Sequence, residues 1–167
     1  MHARVVLGAL AAVLLLGSVA RAADPPSTAD VLGKLHHANE TEIAMGKLAE
    51  KDGHSSEVKA FGKMLVKDHT AADKKVGALA KQEKIDLGNM PAMPEMAQPE
   101  PGPGFDDKFA QMMLEAHKKD IAALTTARDT TADDKLKKLL TAVLPTLQKH
   151  EDTAQKILDA QVKNPHT

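Results

Sequence analysis

The chain has 167 residues, of which 43% are hydrophobic and 27% are charged, enough for one modest globular domain. It contains no cysteine, which excludes disulfides, thiolate metal ligands, a lipid-anchored cysteine and cysteine nucleophiles. Its formal net charge is −1, it has no basic tract, and it lacks Trp and Tyr, all of which argue against a nucleic-acid partner.

The first 22 residues have the three parts of a secretory signal peptide. Residues 1–4 supply positive charge, residues 5–16 form an uninterrupted apolar run, and Ala-Arg-Ala at 20–22 is a small-x-small cleavage site. The apolar run is shorter than the roughly 20 residues that cross a bilayer, so we expect cleavage and no integral membrane segment afterwards. The protein is therefore predicted to be periplasmic or secreted.

A spacer at residues 23–28 precedes the first helix. The sequence STAD at 27–30 has the form of a capping box, and apolar residues then recur at helical spacing from Val31 to Ala49. Helix 1 is predicted to end at Gly53, because glycine commonly follows the last turn of a helix.

The second helix is predicted to begin at a Ser55 or Ser56 cap and to end at a Gly88 cap. Its apolar seam advances in alternating steps of four and three residues, which is the period of a bundle helix. The seam consists of Val58, Gly62, Leu65, His69, Ala72, Val76 and Leu79.

Residues 88–104 form a linker in which five prolines and three glycines exclude regular structure. At about 3.1 Å per residue this segment reaches roughly 50 Å, enough to run the length of a helix of about 30 residues. We therefore predict two antiparallel hairpins joined by a long Pro-rich crossover, the ferritin-like arrangement, rather than a plain up-down bundle.

Methionine occupies every third position of the linker segment formed by Met90, Met93 and Met96. Thioether ligands select Cu(I), so copper capture is one interpretation of this spacing. A mobile Met-Pro linker without any metal role is the other.

Two more helices are predicted after the linker. Helix 3 carries Phe105, Phe109, Met113, His117 and Ile121 on one side. The sequence TADD at 131–134 is a second capping box, and the apolar residues of helix 4 again recur in four-three steps. Four helices over residues 29–163 and no strand signal predict an all-α four-helix bundle.

One titratable side chain interrupts the apolar seam of each helix: Glu42, His69, His117 and His150. Each lies near the middle of its helix, so the four are predicted to fall into one layer within roughly 10 Å. Unpaired burial would cost a few kcal/mol for each group, so the layer must be satisfied internally, by Asn39, Asp68 or Glu115 nearby, or by an ion.

Two interpretations of this polar layer stay open. Three imidazoles and one carboxylate suit a single Zn, Cu, Ni or Fe ion, with Asn39, Asp68 and Glu115 behind the ligands. Alternatively, the layer is a neutral hydrogen-bonded network that only fixes packing. A di-iron centre is disfavoured, because such bundles use Glu-x-x-His motifs and this chain has none.

The functional predictions follow from these alternatives. The first is an exported bundle that binds a divalent metal at the polar layer. The second is a non-catalytic envelope interaction or stress protein, and the third is copper buffering through the methionines of the linker. Catalysis is not indicated, since no phosphate-binding loop, Ser-His-Asp set or nucleophile elbow occurs.

The chain resembles a family of bacterial exported proteins designated domain of unknown function 4142. The similarity lies in Asn39-x-x-Glu42-Ile43, in Asp68-His69, in Phe105-Asp106 with His117, and in Leu144-Pro145-x-Leu147-x-x-His150. It covers nearly the whole chain after the signal peptide, except that the Met-Pro linker is particular to this sequence. The resemblance implies a ferritin-like bundle and an envelope location, and it supplies no reaction.

Overall fold

A computed structural model describes residues 26–89 and 97–163 of the chain. Within these residues it contains four long helices, one short 3-10 turn at Leu87–Asn89 and no strand. The predicted all-α four-helix bundle is confirmed. The helices are α1 Thr28–Asp52, α2 Ser56–Glu83, α3 Phe105–Thr130 and α4 Asp134–Lys163.

Local sequence explains where the first hairpin begins and turns. The Ser27 hydroxyl accepts a hydrogen bond from the Asp30 N–H, and the Gly53 N–H closes α1 on the Ala49 carbonyl. Ser55 caps α2 in the same way, through the Val58 N–H. Both predicted boundaries of α1 and the start of α2 are therefore as expected.

Two predicted caps were wrong. α2 ends at Glu83 and its C-cap is Lys84, which adopts a left-handed conformation at φ 57°, whereas Gly88 lies beyond it in the 3-10 turn. At the start of α4, Asp133 rather than Thr131 caps the helix, because the Asp133 carboxylate accepts from the N–H groups of Lys135 and Leu136. Asp is a stronger N-cap residue than Thr, which explains the shift by two residues.

The two hairpins pack through antiparallel pairs of helices. α1 lies against α2 and α3 against α4 along most of their lengths, while α2 lies against α4 and α1 more sparsely against α3. At one end, Lys135 of α4 pairs with Glu83 of α2 at 2.6 Å. At the other, the Asp106 carboxylate of α3 accepts from the backbone N–H groups of His54 and Ser55 at 2.9 and 2.8 Å.

Two glycines allow α1 and α2 to pack closely where the two helices cross. A Cβ on Gly62 would lie 2.5 Å from the Gly46 carbonyl oxygen, and one on Gly46 would lie 2.7 Å from the Gly62 carbonyl oxygen. Only residues without a side chain permit this close approach of the two backbones. Gly62, which the sequence places in the apolar seam of the second helix, therefore lies where α2 contacts α1.

The core consists of two apolar clusters with a polar layer between them. The aliphatic cluster lies at the end where α1 begins and contains residues such as Leu32, Val76 and Leu140. The aromatic cluster lies at the opposite end and is built on Phe61, Phe105 and Phe109. The buried polar residues at the level between the clusters are Asn39, Glu42, His69, His117 and His150.

Several predictions concern parts of the chain outside the described residues. These are the signal peptide at 1–22, the first residues of the spacer, and Met90, Met93 and Met96. None of the helices among residues 26–89 and 97–163 combines the length and the apolar character needed to cross a membrane.

Candidate metal centre

Three helices each bring one histidine to the same point in the core. The three buried histidines are His69 of α2, His117 of α3 and His150 of α4. Each offers one ring nitrogen, and these three nitrogens lie within 4.8 Å of one another. The ring centroids are 5.1 to 5.8 Å apart. The structure thus places the three predicted histidines together at mid-height in the bundle.

The outer nitrogens of two rings are held by oxygen acceptors. His69 Nδ1 donates to Asn39 Oδ1, and His117 Nδ1 donates to the Met113 backbone carbonyl, both at 2.9 Å. A neutral imidazole has one N–H, so the Nε2 atom of each ring carries a lone pair. Among the described residues, His69 Nε2 is buried without a hydrogen-bond partner.

His150 has two contacts that one proton cannot satisfy. Its Nε2 lies 3.2 Å from Asp68 Oδ2, and its Nδ1 lies 3.1 Å from His117 Nε2. If Nε2–H donates to the Asp68 carboxylate, two lone pairs face each other between His150 and His117. A shared cation resolves this conflict, since two nitrogens about 2.1 Å from one ion are separated by roughly 3.0 to 3.4 Å.

Burial keeps the three rings neutral. Loss of water lowers the pKa of His69 to about 3, with further lowering by His150 and His117. The same burial lowers the pKa of His117 to about 4, although the bond to Met113 opposes the shift. Burial also lowers the pKa of His150, against the raising effect of Asp68. Neutral imidazole is the form that binds metals.

Glu42 lies in the layer but on the other side of His117. Its Oε1 is 3.9 Å from Nδ1 of that ring, the nitrogen that already donates to Met113, and its Oε2 is buried without a hydrogen-bond partner. Burial, and then the nearby Asp120, raises the pKa of Glu42 to about 8, so its carboxyl is protonated at neutral pH. Glu42 is not one of the residues whose donor atoms converge within 4.8 Å.

Of the three residues predicted to stand behind the ligands, the structure brings two to the histidines. Asn39 and Asp68 hold His69 and His150 through the bonds given above. Glu115 instead lies at the surface, with its side chain 68% exposed and its carboxylate 3.7 Å from Lys118 Nζ. It precedes His117 by two positions, which rotates it by roughly 200° around the helix and away from the layer.

Some members of the site were not predicted. The Met113 carbonyl is a backbone group four residues before His117, and no side-chain pattern marks it. Asp120 affects the pKa of Glu42, and its spacing of three from His117 on one helix could have indicated it.

Two clefts lead from the surface to the layer. One of about 370 Å³ opens between α1 and α3, and one of about 220 Å³ opens between α2 and α4. Asn39 and His69 line both clefts. His69 is the member of the histidine cluster that lines both clefts, so an ion entering through either cleft would meet the His69 ring first.

These features define an all-α bundle with a tris-histidine cluster suited to a metal ion. The chain belongs to the family described as domain of unknown function (DUF4142), whose model matches residues 16–157. The resemblance drawn from the sequence motifs is thereby confirmed. Comparison with curated proteins and with solved structures found no significant match.

Proposed function

We propose that this protein binds one divalent transition-metal ion through His69 Nε2, His117 Nε2 and His150 Nδ1. The observation that carries the proposal is the 3.1 Å contact between His117 Nε2 and His150 Nδ1, whose other nitrogens are both engaged by oxygen acceptors. In that state the contact is repulsive without a cation and favourable with one.

The donor set indicates the class of ion. Three neutral imidazoles suit Zn, Cu, Ni or Fe(II) rather than Mg or Ca, which prefer oxygen ligands. Glu42, predicted from the sequence as a fourth ligand, would have to ionise and reach past the His117 ring. The proposed site therefore has three protein ligands and leaves the fourth position to water or an external ligand.

We also propose that the bundle is ferritin-like and exported. The end of α2 lies beside the start of α4, and the start of α3 lies beside the end of α1, which supports a crossover along the bundle between them. The signal-peptide pattern of residues 1–22 supports a periplasmic or secreted location.

Elemental analysis of protein purified without an affinity tag tests the metal proposal. We expect about one equivalent of a single transition metal per chain, lost in the His69→Leu/His150→Leu variant. A Glu115→Gln variant is the matched control and should keep the metal. If the wild type takes up no metal even when metal is added, the polar layer serves packing alone, as in an envelope interaction or stress protein.

Copper buffering by Met90, Met93 and Met96 stays a separate prediction with its own test. Cu(I) titration of a variant with all three methionines changed to leucine should show lost binding if the linker captures copper. Unchanged Cu(I) affinity would exclude the linker.

A further inference from the structure

We propose that the cleft between α1 and α3 binds a small monocarboxylate with an aliphatic body, whose carboxylate lies at the floor beside the metal. The inference rests on the proposed metal centre, because the open coordination position is one of the two partners of the carboxylate. The carboxylate would be a second ligand of this site, besides the metal ion.

The walls of the cleft fit an aliphatic body. Its volume of about 370 Å³ lies at the lower end of the roughly 300 to 1,000 Å³ of small-molecule pockets. The lining side chains are mainly apolar, and the apolar ones on the helices come from α1, α3 and α4. They include Val31, Leu35, Ala123, Leu124, Ala127 and Leu147.

Asn39, which lines the cleft, carries a hydrogen-bond donor without an acceptor among the described residues. Asn39 is 4% exposed, its Oδ1 accepts from His69, and its Nδ2 is buried with no hydrogen-bond partner among the described residues. A buried amide N–H left unpaired is destabilising, and most such groups have a partner. A carboxylate oxygen beside Asn39 would accept that bond, while the second oxygen would face the ion bound to His69.

The charges around the mouth favour an anionic ligand. Lys34 and Lys119 line the cleft together with one acidic residue, Asp120. In the part of the chain that the structure describes, neither lysine has a carboxylate within ion-pair distance. Two ammonium groups and one carboxylate leave the mouth net positive, and a divalent ion held by three neutral imidazoles adds to that charge, so the cleft favours an anion such as a carboxylate.

The test uses the full-length exported protein loaded with Co(II), whose visible absorption reports its ligands. Octanoate should change that spectrum saturably with one equivalent per chain. Acetate should bind at least about tenfold more weakly because it lacks the methylenes that the walls would bury, and octanamide should leave the spectrum unchanged because it carries no charge.

Two alanines on α3 provide a matched pair of variants. Ala123 lines the cleft, so Ala123→Leu should weaken octanoate binding at least about tenfold and leave Co(II) uptake unchanged. Ala122 is exposed and does not line the cleft, so Ala122→Leu should behave as wild type.

The outcomes separate the two proposals. Co(II) binding without any response to octanoate, or an equal response in both leucine variants, would overturn this inference and leave the metal centre intact. Absence of Co(II) binding would overturn the metal centre and this inference with it.

Discussion

The aromatic cluster and the polar layer occupy neighbouring levels of the same bundle, and they differ in what burial leaves unsatisfied. Phe61 and His117 are each 1% exposed, and the Phe61 ring centroid lies 6.2 Å from that of His150. Packing alone completes the aromatic cluster. The polar layer leaves three buried atoms without hydrogen-bond partners among the described residues, on Asn39, Glu42 and His69. Equal burial therefore leaves the aromatic cluster fully packed and the polar layer with unpaired hydrogen-bonding atoms, which are destabilising without a partner.

The largest expected effect comes from the aromatic cluster. Phe109 is fully buried and packs edge-on against Phe61, with ring centroids 5.9 Å apart. Phe109→Ala should lower the free energy of unfolding by about 3 to 5 kcal/mol in urea titrations, through lost contacts and a cavity. Val162→Ala is the control, since Val162 is 82% exposed. A loss below about 1 kcal/mol would show that the cluster is loosely packed.

The next largest effect is the increase in the free energy of unfolding when the proposed site in the polar layer binds a metal ion. At a free metal concentration of about 100 times Kd, the folded state should gain about 2.7 kcal/mol. His117→Ala should abolish this gain, whereas Phe109→Ala should keep it despite its lower baseline. Thermal melts of chelator-treated protein, recorded with and without added Zn(II), measure this gain for each variant. A gain that survives in His117→Ala would place the ion elsewhere.

The fold could be predicted further than the site. The periodicity of the apolar residues predicts four helices and places each histidine near the middle of its helix, because both follow from residue spacing along a single helix. Rotation between helices does not follow from spacing, so spacing alone groups Glu42 with the histidine donors although its carboxyl lies beside His117 Nδ1, outside the cluster. Glu115 is close to His117 in sequence, but its rotation around the helix directs it to the surface.

The metal-free protein should be most stable near pH 6.5. Below that pH, the unfolded chain protonates histidines that the fold keeps neutral, so stability falls with decreasing pH. From pH 4.5 to about 8 the fold keeps Glu42 protonated while the unfolded chain ionises it, and above pH 6.5, where the histidines no longer oppose this effect, stability falls with increasing pH. This second slope should be at most about 1.4 kcal/mol per pH unit.

Urea titrations in chelator at several pH values test this profile. Glu42→Gln should remove the fall above pH 6.5 and preserve the fall below it, whereas Glu115→Gln should change neither. An unaltered slope above pH 6.5 in Glu42→Gln would mean that Glu42 is ionised in the folded protein.

The smallest expected effect belongs to a histidine outside the layer. His36 lies on α1, partly exposed, with Nδ1 2.7 Å from Asp73 Oδ1. Because solvent screens such pairs, His36→Ala should cost less than about 1 kcal/mol in urea and leave metal uptake unchanged. A loss of metal in this variant would extend the site beyond the three buried histidines.

X-ray absorption at the zinc edge of the Zn-loaded, untagged protein tests the central claim most directly. We expect three imidazole ligands with nitrogen at about 2.0 to 2.1 Å from the zinc, and a fourth position filled by oxygen. Two imidazoles or fewer, or a sulfur neighbour from the linker methionines, would contradict it.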